Sequence, residues 1–96
     1  MKKNSLNQQA AAEEIALEGL TFLAADPELL RRFIDLSGIP VDNLREAAAA
    51  PGFLAGVLDH FAGDEPLLLS FAANRGRDPA EIMRAWTLLN APPEER

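Results

Sequence analysis

The sequence contains no cysteine and no tyrosine, and its single histidine is His60. The absence of cysteine excludes disulfides, thiol catalysis and metal sites built on thiolates. No apolar run approaches the roughly 18–20 residues of a membrane span. Polar residues also interrupt the stretch after the basic start, where a secretory signal needs a continuous apolar segment. We therefore expect a cytoplasmic protein that does not contact a membrane.

Basic residues are also scarce, with 9 lysines and arginines against 15 acidic residues and a net charge of −6. An acidic chain repels phosphate backbones and anionic lipids at long range. Hydrophobic residues make up 48% of the chain and charged residues 25%, which is typical of a globular protein. At 96 residues the chain fits one domain. We expect a single helical domain over residues 1–96, with flexible tails at 1–5 and 91–96.

Residues that favour strands are few, since valine occurs only at Val41 and Val57 and threonine only at Thr21 and Thr87. Alanine and leucine dominate instead, and both favour helices. The sequence therefore predicts an all-α protein, a single compact orthogonal bundle of about five to six short helices with helix-turn-helix-like corners. The first helix is expected from about Leu6 to Ala25 and the fifth from about Glu65 to Asn74.

Helix boundaries are marked by caps, prolines and glycines. A side-chain oxygen caps the first turn, and a proline there loses no hydrogen bond. A glycine that ends a helix commonly adopts positive φ. Expected starts are the Ser5–Gln8 capping box, Asp26-Pro27, Pro40 with Asp42, Asp64, and Asp78-Pro79; expected ends are Gly38, Pro51-Gly52, Gly63 and Gly76.

The apolar residues recur at helical spacing, which predicts one side of each helix as buried. The predicted core comprises Phe22, Leu30, Phe33, Leu44, Phe53, Val57, Phe61, Leu68, Phe71, Ile82 and Trp86.

Helices two and three can be superimposed in sequence on helices five and six, with Phe33 matching Phe71 and Gly38 matching Gly76. Either any two short helix corners share this spacing, or the two halves are a duplication. The second corner, residues 71–86, is similar to a helix-turn-helix. However, Arg77 stands where that motif usually has an apolar residue, and Arg84 is the only basic residue of the second helix. Reading bases needs several such side chains.

Residues 16–90 resemble an uncharacterised family of small alphaproteobacterial proteins, domain of unknown function 3572. The resemblance rests on residues 20–27, Phe33 with Ser37-Gly38, Leu44-Arg45, Pro51-Gly52-Phe53-Leu54, Val57-Leu58-Asp59 and residues 65–68. It implies a cytoplasmic bacterial protein with a compact helical fold, and it assigns no activity, ligand or catalytic residue.

Residues that carry chemistry are sparse. His60 follows Asp59 directly, but neighbours on a helix point about 100° apart, so Asp59 is poorly placed to orient His60 as a base. Neither a phosphate-binding glycine loop nor a nucleophile elbow is present. We expect no enzyme activity, no catalytic residue, no cofactor and no metal site.

The densest polar and basic segment is the corner of Asn74, Arg75 and Arg77 beside the start of the last helix. Backbone N–H groups and two arginines could hold a phosphate or a partner's carboxylate there. The alternative is that Arg75 only complements the dipole at the end of helix five.

The most economical interpretation is a small protein–protein interaction module or adapter that binds another protein or itself, with a homodimer among the alternatives. Four apolar residues, Leu17, Leu69, Met83 and Leu88, lie off the core stripes and would have to form a continuous patch to count as a binding surface. The alternative function is an atypical helix-turn-helix-like module that binds nucleic acid, which the acidic charge disfavours.

Overall fold

The computed structural model describes residues 2–38, 44–49 and 52–91, and these residues form six helices and no strand. The predicted all-α fold is therefore confirmed for this part of the chain. The helices are α1 (Lys2–Ala24), α2 (Pro27–Ser37), α3 (Leu44–Ala49), α4 (Phe53–Ala62), α5 (Glu65–Arg75) and α6 (Pro79–Asn90). All are short except α1, which at 23 residues spans about 34 Å.

Aspartates cap three of the helices, as predicted. The side chain of Asp26 accepts a hydrogen bond from the backbone of Glu28 at the start of α2. Asp64 and Asp78 do the same at the starts of α5 and α6. Each cap satisfies a backbone N–H that the first helical turn leaves without a partner, and this fixes where the helix begins.

Glycines with positive φ end α2 and α5, also as predicted. Gly38 has φ of 74° and Gly76 has φ of 66°, a conformation that glycine adopts without steric cost. The resemblance between the two corners extends to their first helices, since α2 and α5 both have 11 residues.

The start of α1 differs from the prediction. The helix begins at Lys2 instead of Leu6, so Ser5 lies inside it and is not its cap. No proline or glycine precedes Ser5 to stop the helix, and serine is tolerated within a helix at a small cost in propensity. The predicted start of α3 at Pro40 and Asp42, its predicted end at Pro51, and the tail 92–96 lie outside the described residues.

The core is built around aromatic rings. Phe61 and Phe71 stack with ring centroids 4.6 Å apart, and Phe22 lies 5.5 Å from Phe71. Seven of the predicted core residues are buried, namely Phe33, Phe53, Val57, Phe61, Leu68, Phe71 and Ile82. Three are only partly buried, namely Phe22, Leu30 and Trp86, and the side chain of Leu44 lies outside the described residues.

Helix α1 approaches α4 closely at Gly19. A Cβ atom at this position would lie 2.9 Å from the ring of Phe61 and 3.4 Å from Val57. Such distances leave no room for a side chain, so the glycine allows the α1 backbone to pack directly on the aromatic core. Packing at this crossing fixes the position of α1.

Truncation of the central phenylalanines tests the assigned core. Phe33→Ala and Phe61→Ala each remove a ring that is at most 1% exposed, and such changes cost about 3–5 kcal/mol of a domain's ~5–15 kcal/mol of stability. Chemical denaturation should show near-complete loss of folding for both variants. The control is Leu36→Ala, whose side chain is 71% exposed; equal losses in all three variants would contradict this core.

Candidate binding surface

The predicted polar corner lies at the end of α5 and in the turn to α6. Asn74 and Arg75 are exposed residues of the last turn of α5, and Arg77 follows Gly76 in the turn. The guanidinium of Arg77 faces back toward α1. Its Nε donates to Glu18 Oε1 at 2.8 Å, and its Nη2 donates to Glu18 Oε2 at 2.9 Å.

Arg77 also donates from Nη1 to Glu81 Oε2 at 3.1 Å, so the guanidinium bridges two carboxylates. The hydrogen bond from Arg77 holds the pKa of Glu18 below its usual value, and the same contact raises the pKa of Arg77. Bidentate pairing of this kind fixes geometry as well as charge. Arg77 is therefore engaged within the protein, and the structure leaves Arg75 and Asn74 as the exposed polar side chains of this corner.

The ion pairs also define how α1 and α6 lie against each other. Glu18, in the second half of α1, pairs with Arg77 in the turn before α6, and Arg77 pairs in turn with Glu81 in the first turn of α6. Residues of α1 that precede Glu18, from Gln8 to Ile15, line one groove together with residues of α6 from Glu81 to Leu88. The two helices therefore run antiparallel.

A groove of about 460 Å³ lies between these two helices. We call it the α1–α6 groove. The residues that line it are Gln8, Ala11, Ala12, Ile15, Glu81, Arg84, Ala85, Thr87 and Leu88.

The walls of the α1–α6 groove have helical periodicity. On α1 the lining residues fall at positions i, i+3, i+4 and i+7 from Gln8, and on α6 they fall at i, i+3, i+4, i+6 and i+7 from Glu81. Each wall is thus about two turns, or about 10 Å, long. Ala12, Ile15 and Ala85 are buried, whereas Leu88 remains 36% exposed.

Of the four apolar residues predicted to lie off the core, three are exposed, namely Leu17, Leu69 and Leu88. Met83 is instead partly buried against the core. Only Leu88 lines the α1–α6 groove. The groove was not apparent from sequence because its two walls come from opposite ends of the chain, and Ala11 and Ala12 carry no strong apolar signal.

A second groove, of about 340 Å³, lies between α2 and α4 and contains the only histidine. The His60 ring contacts Phe33 edge-on at a centroid distance of 5.2 Å. Burial lowers the pKa of His60, and the nearby Arg32 lowers it further, while Asp64 and Asp59 act in the opposite direction.

Asp59 does not orient His60. Its Oδ1 accepts a hydrogen bond from Trp86 Nε1 at 3.0 Å, which links α4 to α6. The indole N–H needs a polar partner, and this explains why Trp86 lies at the edge of the core rather than within it. The structure therefore does not bring Asp59 and His60 together as an acid–base pair.

Helix α6, the would-be recognition helix, is packed against both α1 and α4. The Trp86–Asp59 bond and a hydrogen bond from Asn90 Nδ2 to Ala55 O at 3.2 Å hold it on α4. Among its exposed side chains Arg84 is the one basic group. The α5–α6 corner thus has a helix-turn-helix-like turn, but the face of α6 that remains accessible is narrow.

Within residues 2–38, 44–49 and 52–91, no group of three or more His, Asp or Glu side chains converges on a point that suits a metal ion. No helix in the same residues has both the length and the apolar content needed to cross a bilayer.

A protein-family model described as "Protein of unknown function (DUF3572)" matches residues 9–92. The match extends beyond both ends of the segment on which the sequence resemblance rests. No curated protein and no solved structure matches the chain.

The position of His60 predicts how stability depends on pH. Because burial lowers its pKa in the folded state, the unfolded chain takes up the proton first as the pH falls below about 6.5. His60 should therefore reduce the free energy of unfolding progressively below that pH, until the folded-state pKa is passed. Urea denaturation between pH 7.5 and 5 should show a shallower decline for His60→Gln, and identical slopes in the two proteins would contradict this assignment.

Proposed function

The chain belongs to the DUF3572 family, and we propose that it is a small protein–protein interaction module that docks partners in the α1–α6 groove. The observation that carries this proposal is the groove itself. Its floor is apolar, its walls are two antiparallel helices, and Leu88 remains partly exposed at its edge.

Burial of the apolar floor of the α1–α6 groove would favour binding of a partner. Each Å² of apolar surface removed from water contributes about 25 cal/mol, and the walls are held by core packing before a partner arrives. Ala12 and Ala85 are small, so an incoming helix can approach the floor closely. The matching occupant is the apolar face of an amphipathic helix, with anchors spaced by three or four residues.

The size of the groove limits the strength of the interaction. Walls of about two turns accept a few side chains, which is small beside the about 800 Å² per partner of a standard interface. We therefore propose a reversible contact. This agrees with the polar residues at the groove, Gln8, Glu81 and Arg84, which keep the empty surface hydrated.

We further propose that the role is non-catalytic and cytoplasmic. The hydrogen bonding of Asp59 supports the first point, because Asp59 accepts from Trp86 and forms no hydrogen bond with His60 that would orient it as a base. Support for the second point comes from the sequence, because a chain with no cysteine is suited to the reducing cytoplasm.

The alternative of an atypical nucleic-acid-binding module has weaker support. Its turn is formed as expected, since Gly76 has positive φ. However, Arg77 forms ion pairs with Glu18 and Glu81. The exposed arginines of α5 and α6 are therefore Arg75 and Arg84. Specific DNA binding draws on many phosphate contacts, which two side chains do not provide.

Capture experiments test the docking groove. Ala11→Glu combined with Leu88→Glu places a like charge on each wall of the groove and should abolish binding of any protein that docks there, since unpaired charges oppose burial. Tagged wild-type and variant proteins are used to capture partners from lysate, and the captured proteins are quantified by mass spectrometry.

The matched control is Leu36→Glu, which places a charge on a leucine outside the groove that is more exposed than Leu88. A partner retained by the wild type and by this control, but lost with the groove variant, fits the proposal. If no captured protein depends on the groove, the proposed function is wrong.

A fluorescence-polarisation titration against random-sequence duplex DNA tests the alternative. We expect no detectable binding at physiological salt and only weak, salt-sensitive binding below it, because few phosphates are neutralised. Arg75→Glu is the informative control, since within the described residues Arg75, unlike Arg77, forms no ion pair that the substitution would break. Submicromolar binding that Arg75→Glu abolishes would favour the nucleic-acid module instead.

A further inference from the structure

We infer that the occupant of the α1–α6 groove is a second copy of this chain, placed so that α1 of each copy lies on α6 of the other. The inference rests on the proposed docking function and names its partner. It follows from the antiparallel arrangement of α1 and α6 and from the charges beside the groove.

The antiparallel pair is suited to a two-fold axis that runs parallel to the helices. Rotation by 180° about this axis turns the groove of the second copy to face that of the first, and it places the second copy's α1 and α6 on exchanged sides. Helix α1 then faces the partner's α6, and α6 faces the partner's α1, so the four helices form an antiparallel bundle. The two grooves then form one shared interior, in which Leu88 of each copy is directed toward the α1 wall of the other.

Each side of the groove carries an exposed charged residue that forms no ion pair with another described residue, while Glu81 on the α6 side is already paired with Arg77. On the α1 side this residue is Glu14, which lies beside the lining residues and one helical turn before Glu18, and its negative charge is close enough to raise the pKa of Arg77. Arg84 lies on the α6 side and lines the groove. Both side chains belong to exposed residues, and both ion pairs of the described residues are formed by Arg77 instead.

Glu14 and Arg84 are also level with each other along the helix axes. Arg77 joins Glu18 to Glu81, which sets Glu18 against the 77–81 segment. One turn earlier in α1, Glu14 therefore lies level with residues 81–85 of the antiparallel α6, a segment that includes Arg84.

Rotation about a two-fold axis parallel to the helices leaves the position of each residue along that axis unchanged. Glu14 of one copy then faces Arg84 of the other, and the contact occurs twice in the dimer. An exposed carboxylate on one side and an exposed guanidinium on the other make the surface electrostatically complementary to itself. A partner of another sequence would have to place a positive group opposite Glu14 and a negative group opposite Arg84, whereas a second copy carries both groups at these positions.

Charge exchange in the full chain tests the arrangement. Sedimentation velocity over a concentration series gives the dimer dissociation constant for the wild type, Glu14→Arg, Arg84→Glu and the double variant. Each single change places like charges opposite each other twice and should weaken the dimer about tenfold or more. The double variant restores opposite charges and should recover most of the lost affinity.

Arg75→Glu is the matched control, since it changes the net charge as Arg84→Glu does but lies at the end of α5, away from the residues that line the groove. Circular dichroism of each variant verifies that the helices are retained. A wild type that remains monomeric over the series overturns the inference, as does a dimer that Arg75→Glu weakens as much as Arg84→Glu, or one that the double variant fails to restore.

The two proposals fail separately. A monomeric chain that still captures another protein through the α1–α6 groove keeps the docking function and rejects self-association. A dimer that shows the charge exchange, together with capture that does not depend on the groove, supports self-association through this surface and rejects a further partner there.

Discussion

The structure depends on the stack of Phe61 on Phe71, because these two rings fix the relative positions of the helices that carry them and of α1. Phe61 lies in α4, Phe71 in α5, and Phe22 of α1 packs on both. Gly19 allows the α1 backbone to come within side-chain distance of the same Phe61 ring. Since protein interiors are closely packed, a change in this stack would shift α1 as a unit.

The position of α1 in turn determines the binding surface. Core packing places α1 beside α6, and the Arg77 ion pairs with Glu18 and Glu81 fix how far one helix is displaced along the other. Ion pairs near the protein surface contribute little to stability in general, and the Arg77–Glu18 pair is only partly buried. The value of this one lies in its geometry, because a bidentate guanidinium accepts few orientations. The position of the groove is therefore set by a core contact and by an ion pair that both lie in the second half of α1.

Local signals in the sequence predicted the features that depend on a few neighbouring residues. The caps at Asp26, Asp64 and Asp78 and the positive φ of Gly38 and Gly76 follow from side-chain chemistry and backbone sterics within one turn. The start of α1 was missed because Ser5 and Gln8 match a capping box but are equally compatible with a helix interior.

The candidate site was less predictable. Arg77 was identified, yet its partner Glu18 lies 59 residues away in the sequence, and no local pattern joins them.

Small side chains between α1 and α6 explain why the groove exists in a protein with a limited core. A chain of this size buries roughly two-thirds of its unfolded surface and has few apolar side chains to spare. Along α1 and α6 the positions that would fill the space between the helices hold Ala11, Ala12 and Ala85 instead of larger residues. Larger side chains there would bury more apolar surface in the isolated chain, and they would also close the groove. Alanine favours the helix, so the walls remain ordered while the space between them stays open. The isolated chain lacks the apolar burial that larger side chains would give at these positions. A partner that covers the groove supplies that burial instead.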